Sequence, residues 1–219
     1  MKTSKFISLV VLFLIPAVRL AAHPLDMNPE TISPAEVSWI YLQLGFVHIL
    51  PLGIDHILFV LGLFFLSPKL KPLLKQITCF TIAHTITLAL AIYGMVSLPS
   101  FIVEPVIAAS IIYIAVENLR RKELNNSRLV VVFSFGLIHG MGFAGALKDL
   151  GLPKSQFLNA LLTFNLGVEL GQVTVVLLAF AAVGLWFRTR EWYHNRVVVP
   201  ASVFIALIAA YWTVERIFL

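Results

Sequence analysis

Three side chains able to bind a metal ion lie in a sequence stretch that is otherwise apolar. The stretch GFVHILPLGIDHILFVLGLFFL, Gly45 to Leu66, contains His48, Asp55 and His56. Imidazole and carboxylate ligands without a thiolate suit a divalent cation such as Ni²⁺, Co²⁺, Cu²⁺ or Zn²⁺. On a continuous helix, seven residues return to within about 20° of the same direction, so His48 and Asp55 share a face with His56 nearby. Asp55 either binds the ion or orients a histidine, and the sequence leaves both roles open.

Other ionisable residues lie near the middle of further apolar segments. An intramembrane charge costs at least about 2.5 to 3.5 kcal/mol, so we expect these groups to face one another and not the lipid. A lone transmembrane histidine is otherwise more often an interhelical hydrogen-bonding group. The predicted metal-binding residues are His48, Asp55, His56, His84, His139 and Glu169.

A second set of polar residues is predicted to line a cation pathway. Glu104 lies near the outer end of the third apolar segment and Glu117 near its inner end, as a mouth and an exit or as ordinary interfacial carboxylates. Asn165 and Gln172 lie near Glu169, on the pathway or as hydrogen-bonding groups between helices.

The composition is typical of an integral membrane protein. Of the 219 residues, 59% are hydrophobic and 12% are charged, whereas a soluble domain is about one quarter charged. The single cysteine, Cys79, excludes an internal disulfide and a cysteine-based zinc site within one chain. The net charge of +5 comes from short basic clusters between apolar runs. Membrane topology explains such clusters better than a nucleic-acid partner.

The N-terminal segment is predicted to be a cleaved secretory signal, residues 1–22. It has a basic start, a short apolar run and small residues at its end. The alternative is an uncleaved helix, which Arg19 and the shortness of the run disfavour. Cleavage after Ala22 would expose His23 as an N-terminal metal ligand, with its amine and imidazole together. Residues 23–219 are then one transmembrane domain.

Six apolar segments follow, and the predicted fold class is an all-α membrane protein with six transmembrane helices. Each segment can cross about 30 Å at 1.5 Å per residue, and lipid requires helical backbone. The segments are Trp39–Leu66, Leu73–Val96, Phe101–Leu119, Leu129–Leu147, Phe157–Phe187 and Val197–Leu219. Alternate connections carry ten and three lysines and arginines. The positive-inside rule therefore predicts an inner-membrane protein with both termini outside.

Short sequence matches between the two halves predict a 3+3 inverted repeat. GFVH (Gly45–His48) recurs as GLIH (Gly136–His139), and FTIAH (Phe80–His84) is matched by FNLGVE (Phe164–Glu169). The two triplets of helices would run in opposite directions, as in many transporters. Chance recurrence in apolar sequence is the alternative.

Several of these stretches together resemble the HupE/UreJ family of bacterial membrane proteins. The likeness covers nearly the whole chain after residue 22, in GFVHILPLGIDHILFVLGLFFLS, FTIAHTITL, VEPVIAASIIYIAVEN, FGLIHGMGFAGAL and FNLGVELGQ. The resemblance implies a permease for nickel, sometimes cobalt, that acts by facilitated diffusion and is associated with hydrogenase and urease operons. The family's first-helix motif falls on His48, Asp55 and His56. Six residues separate His48 from Asp55 where the nickel permeases have five, which leaves the role of His48 open.

Three functions are compatible with this pattern, and a metal permease is the leading one. No nucleotide-binding G-x-x-x-x-G-K loop is present in the sequence, so this chain does not supply ATP-driven transport. The alternatives are a membrane-embedded zinc hydrolase, in which Asp55 or Glu169 activates a water, and a non-catalytic subunit of a larger complex. The expected partners are the lipid bilayer and a metal ion, with a homo-oligomer or a membrane complex open and no nucleic acid.

Overall fold

The structure, a computed structural model, describes residues 32–125, 127–149 and 154–218. The described residues are mostly helical and include no strand, which confirms the predicted all-α class. The predicted signal, residues 1–22, and His23 lie outside this part of the chain.

Eight α-helices follow one another along the described residues. They are α1 (Pro34–Ile49), α2 (Ile54–Leu66), α3 (Leu70–Ile92), α4 (Ser100–Arg120), α5 (Arg128–Asp149), α6 (Phe157–Ala179), α7 (Leu185–Phe187) and α8 (Val199–Phe218). A short 3₁₀ turn, Lys154–Gln156, precedes α6. The π-helical turns Phe180–Gly184 and His194–Val198 continue α6 and lead into α8.

Five helical stretches of the described chain are long and apolar enough to cross a membrane. They are Leu70–Ile92, Ser100–Arg120, Arg128–Gly145, Phe157–Phe187 and His194–Phe218. The pair formed by α1 and α2 passes the same criterion jointly, which gives six spans if the broken pair counts as one.

The first apolar segment is broken, so the single helix assumed between Trp39 and Leu66 was wrong. Pro51 lacks the amide hydrogen that a continuous helix needs, and its ring clashes with the preceding turn. Gly53 lies against the His48 carbonyl oxygen, which a Cβ at this position would overlap. Because α1 ends before Pro51, a rotation of 100° per residue does not carry across the break. The seven-residue spacing of His48 and Asp55 therefore does not place them on one face of a helix.

The contacts within the chain divide it into two compact units. The first unit comprises Met1–Ile54 and Gly145–Gly171, and the second comprises Asp55–Ala144 and Gln172–Leu219. The first contains α1 and the beginning of α6, whereas the second contains α3, α4, α8 and most of α2 and α5.

In the first unit, α1 packs closely against α6 through glycines on both helices. A Cβ at Gly45 would overlap the Phe164 carbonyl oxygen, and a Cβ at Gly167 would overlap the Leu42 carbonyl oxygen. Small residues let two helix backbones approach in this way, which is the usual means of association for helices in lipid.

In the second unit, α3 and α5 also pack closely against each other through glycines. A Cβ at Gly136 would lie 2.6 Å from the Phe80 carbonyl oxygen, and one at Gly140 would overlap the His84 carbonyl oxygen. The close contact sets the depth of α3 relative to α5, and with it the depth of their histidines.

A buried amide connects three further helices of the second unit. The Asn118 side chain of α4 donates to the Gly62 carbonyl of α2 at 2.8 Å and to the Ser202 hydroxyl of α8 at 3.3 Å. The Asn118 side chain is completely buried. Hydrogen bonds of this kind hold the helices around α2 in one arrangement.

Candidate metal centre

In the second unit, the buried His56 ring lies next to two other buried histidine rings, His84 and His139. The ring centroid of His56 lies 5.1 Å from that of His139 and 6.1 Å from that of His84. A ring nitrogen of His56 lies within 4.8 Å of one of His84. The residues are 6%, 2% and 0% exposed for His56, His139 and His84. His56 of α2 thus has one histidine neighbour from α3 and one from α5, and that these residues bind a metal ion stays a prediction.

The orientation of His139 leaves one ring nitrogen for a ligand. Its Nδ1 lies 2.8 Å from the Phe135 carbonyl oxygen, which can only accept, so Nδ1 carries the hydrogen and donates. The Nε2 atom then holds a lone pair, and it has no hydrogen-bond partner among the described residues. A histidine that binds a metal through one nitrogen commonly donates its other N–H to a backbone carbonyl in this way.

Phenylalanine rings form the wall of the cluster. The Phe80 ring lies 5.0 Å from the His139 ring and 5.8 Å from the His56 ring, measured between centroids. The Phe59 ring lies 5.6 Å from the His139 ring. These rings offer no metal ligand, so in this part of the second unit an ion would be bound mainly by imidazole nitrogen.

Asp55, next to His56 in the sequence, forms an ion pair with Arg216 of α8. The Arg216 Nη2 donates to both carboxylate oxygens, at 3.1 and 3.0 Å. The Arg216 Nη1 donates to the Glu104 backbone carbonyl at 3.1 Å, and the guanidinium lies 5.5 Å from the Trp212 ring centroid. A cation that uses the Asp55 carboxylate would therefore compete with a guanidinium.

Sequence reasoning missed Arg216 as part of this region. It is the only lysine or arginine between Val197 and Leu219. A cation within an apolar segment needs an anionic partner, so the position of Arg216 in the sequence predicts a carboxylate near it.

Three of the predicted residues lie in the first unit. His48 is half-buried in α1, and its ring centroid lies 5.8 Å from that of Phe164 at an interplanar angle of 41°. Glu169 is half-buried in α6. The Asn165 amide donates to the Leu161 carbonyl of its own helix at 2.8 Å. Their part in a metal site or a pathway stays a prediction.

The remaining pathway candidates lie in the second unit. Glu104 is exposed at the start of α4, and Glu117 forms an ion pair of 2.7 Å with Arg128. The Gln172 amide oxygen accepts from the Thr81 hydroxyl at 3.2 Å, which is an interhelical hydrogen bond of the kind expected. Whether any of the three lines a cation pathway stays a prediction.

Comparison with known proteins finds one family. A family model described as HupE / UreJ protein matches residues 26–216. Neither the curated proteins nor the solved structures include a match to the sequence. The matched range includes residues of both units and every predicted site residue except His23.

Proposed function

The chain belongs to the HupE/UreJ family, and from this premise we propose that it moves a divalent transition-metal cation across the membrane, with nickel as the expected substrate. The family supports the handling of nickel or cobalt. The residues proposed to bind the ion are His56, His84 and His139, whose donor type suits a borderline divalent cation.

The observation that carries this proposal is the His139 ring. Its Nδ1–H is committed to the Phe135 carbonyl, and its Nε2 is buried without a hydrogen-bond partner in the described part of the chain. A buried acceptor left without a partner costs roughly 1 to 3 kcal/mol. A cation bound at Nε2 offsets that cost, whereas a merely structural histidine would be expected to have a second partner.

The proposed site can bind a cation and still release it. Imidazole is an uncharged ligand when it binds a metal, so three histidines bring no net negative charge to the ion. The nearby carboxylate of Asp55 is already neutralised by Arg216. Weak binding of this kind suits facilitated diffusion, in which the ion has to leave on the other side.

Metal uptake by proteoliposomes that contain the purified protein tests the proposal. We expect inward flux of Ni²⁺, and a smaller or equal flux of Co²⁺, to be lost in His84→Gln. The matched control is His194→Gln, a histidine in the connection between α7 and α8. Equal flux of Ni²⁺, Co²⁺, Cu²⁺ and Zn²⁺ in wild type and His84→Gln would contradict the proposal. Zinc that survives chelation would favour the hydrolase instead.

We also propose that the protein lies in the bacterial inner membrane with six spans and both termini outside. The unequal basic charge of alternate connections supports this orientation. In a Cys79→Ser background, Lys122→Cys should react with an impermeant maleimide only after the membrane is opened. Labelling of intact spheroplasts would show the opposite orientation.

A further inference from the structure

A basic cavity lies at the start of α3 and α5, in the second unit and away from the histidines. Its volume is about 310 Å³, and the polar residues lining it are Lys75, Gln76, Asn125 and Arg128. Both helices begin here, and the sequence predicts that this end faces the inside of the cell. The cavity therefore lies at the depth where a span meets the lipid headgroups.

Arg128 is the buried charged group of this cavity. It is 2% exposed, its Nε donates to the Gln76 amide oxygen at 2.9 Å, and its Nη1 donates to the Glu117 carboxylate at 2.7 Å. Its Nη2 is buried and has no hydrogen-bond partner among the described residues. Burial of a charged donor without an acceptor is costly, so the cavity is expected to bind a group that accepts a hydrogen bond from the Arg128 Nη2.

An apolar groove continues from the cavity along α3 and α5. Its volume is about 780 Å³, and Lys75 and Leu129 line both the groove and the cavity. Lys71 and Lys75 lie in the first two turns of α3. Ile82 follows Lys75 by seven residues, about 10 Å along the helix. Phe133 of α5 lines the opposite wall. The whole feature is thus basic at one end and apolar along its length.

We propose that the cavity and the groove together bind one anionic phospholipid. The phosphate is bound by Lys75 and Arg128, and an acyl chain lies in the groove between α3 and α5. The described residues that line the cavity and the groove include Lys71, Lys75 and Arg128 and no carboxylate, so the headgroup carries the complementary charge. A free phosphate would satisfy the cationic end only, whereas the apolar groove extends well beyond it.

Native mass spectrometry of the full-length protein in detergent tests this inference. The probes are phosphatidylglycerol and phosphatidylcholine with identical acyl chains, added at the same concentration. Wild type is expected to retain phosphatidylglycerol in preference. The double variant Lys71→Gln/Lys75→Gln is expected to bind it at least about tenfold more weakly, since each basic residue near a lipid surface contributes appreciably. The matched control is Lys122→Gln/Arg190→Gln, which removes two exposed cations outside the cavity.

A second variant and a competitor separate a lipid from a simple anion. Ile82→Trp fills the groove without a change of charge, and it is expected to weaken phosphatidylglycerol binding while leaving the protein monodisperse. Millimolar inorganic phosphate should leave the bound lipid in place. The inference is wrong if both lipids bind equally, if the double lysine variant retains phosphatidylglycerol as wild type does, or if inorganic phosphate displaces the lipid. None of these outcomes depends on metal transport.

Discussion

The α1–α6 pair of the first unit and the α5–α3 pair of the second unit share one arrangement of glycine, histidine and phenylalanine. Gly45 lies against the Phe164 carbonyl, and Gly136 lies against the Phe80 carbonyl. A histidine follows each glycine by three residues, and its ring lies beside the ring of the phenylalanine that the glycine contacts. The ring centroids are 5.8 Å apart for His48 and Phe164. They are 5.0 Å apart for His139 and Phe80.

The two pairs differ in the residue four positions after the phenylalanine. In the second unit this residue is His84, whereas in the first unit it is Val168. The second unit also contains His56 of α2, so three imidazoles meet there. The difference shows that close helix packing positions a histidine, whereas the chemistry depends on what the neighbouring helices bring to it. The matched packing agrees with the sequence repeats, and the inverted direction of the repeat stays a prediction.

The largest effect is expected from valine at the packing glycines. Gly136→Val and Gly45→Val place side-chain atoms against a backbone carbonyl that cannot move aside, at a cost of at least about 1 to 3 kcal/mol. We expect a large loss of monodisperse protein in size-exclusion chromatography, similar in the two units. Gly145→Val is the matched control, since a Cβ there meets nothing within 4 Å. If only one of the two glycine variants loses folded protein, the shared packing does not support both units.

The next effect concerns metal binding by the histidine cluster. His139→Gln and His84→Gln should each weaken Ni²⁺ binding at least about tenfold in calorimetry, with the melting temperature nearly unchanged. His194→Gln serves as the control for a histidine outside the cluster. Wild-type affinity in both variants would contradict a metal site in the second unit.

His48→Gln, in the first unit, tests the sequence prediction that His48 is also a ligand. We expect a loss of Ni²⁺ affinity comparable with that of His84→Gln. An affinity equal to that of wild type would mean that the glycine and phenylalanine packing of α1 holds a histidine for structural reasons alone.

A smaller effect is expected where Asp55 joins the cluster to α8. The Asp55 and Arg216 side chains are 27% and 20% exposed, so solvent screens their attraction and the pair contributes at most about 1 kcal/mol. Arg216→Gln releases the carboxylate and should raise Ni²⁺ affinity by up to about fivefold, whereas Arg216→Lys should stay near wild type. A fall in affinity would mean that Arg216 orients Asp55 for the ion and does not compete with it.

The smallest effect belongs to the hydrogen bond between Thr81 and Gln172. Thr81→Val removes an interhelical bond next to the cluster, which is worth about 0.6 kcal/mol on average in membrane proteins. A chain of this size should then melt about 1 to 3 °C lower in a tryptophan-fluorescence scan. Thr85→Val is the matched control, because the Thr85 hydroxyl donates to the Thr81 carbonyl of its own helix. If the melting temperature falls equally in both variants, the interhelical hydrogen bond contributes no more to stability than the bond within the helix.

Much of the candidate site could be predicted from the sequence because lipid imposes strong constraints. Ionisable groups such as His56, His84 and His139 are too costly to face the lipid, so their depth in the apolar segments was enough to predict that they meet. Pro51 and Gly53 lie in the break of the first segment, between α1 and α2. A complete break was not predictable, because a proline in a membrane helix is often tolerated when neighbouring groups satisfy the backbone.

The amino-acid sequence by itself determined the helical class, the apolar segments and the kinds of ligand atom available to a metal ion, since these follow from hydrogen bonding in lipid and from donor chemistry. Only the tertiary structure decided which charges pair. Arg216 pairs with Asp55 across 161 residues, and Arg128 pairs with Glu117. Pairing depends on which faces of packed helices meet, and that is set by contacts such as those of Gly136 and Gly140, which sequence spacing does not specify.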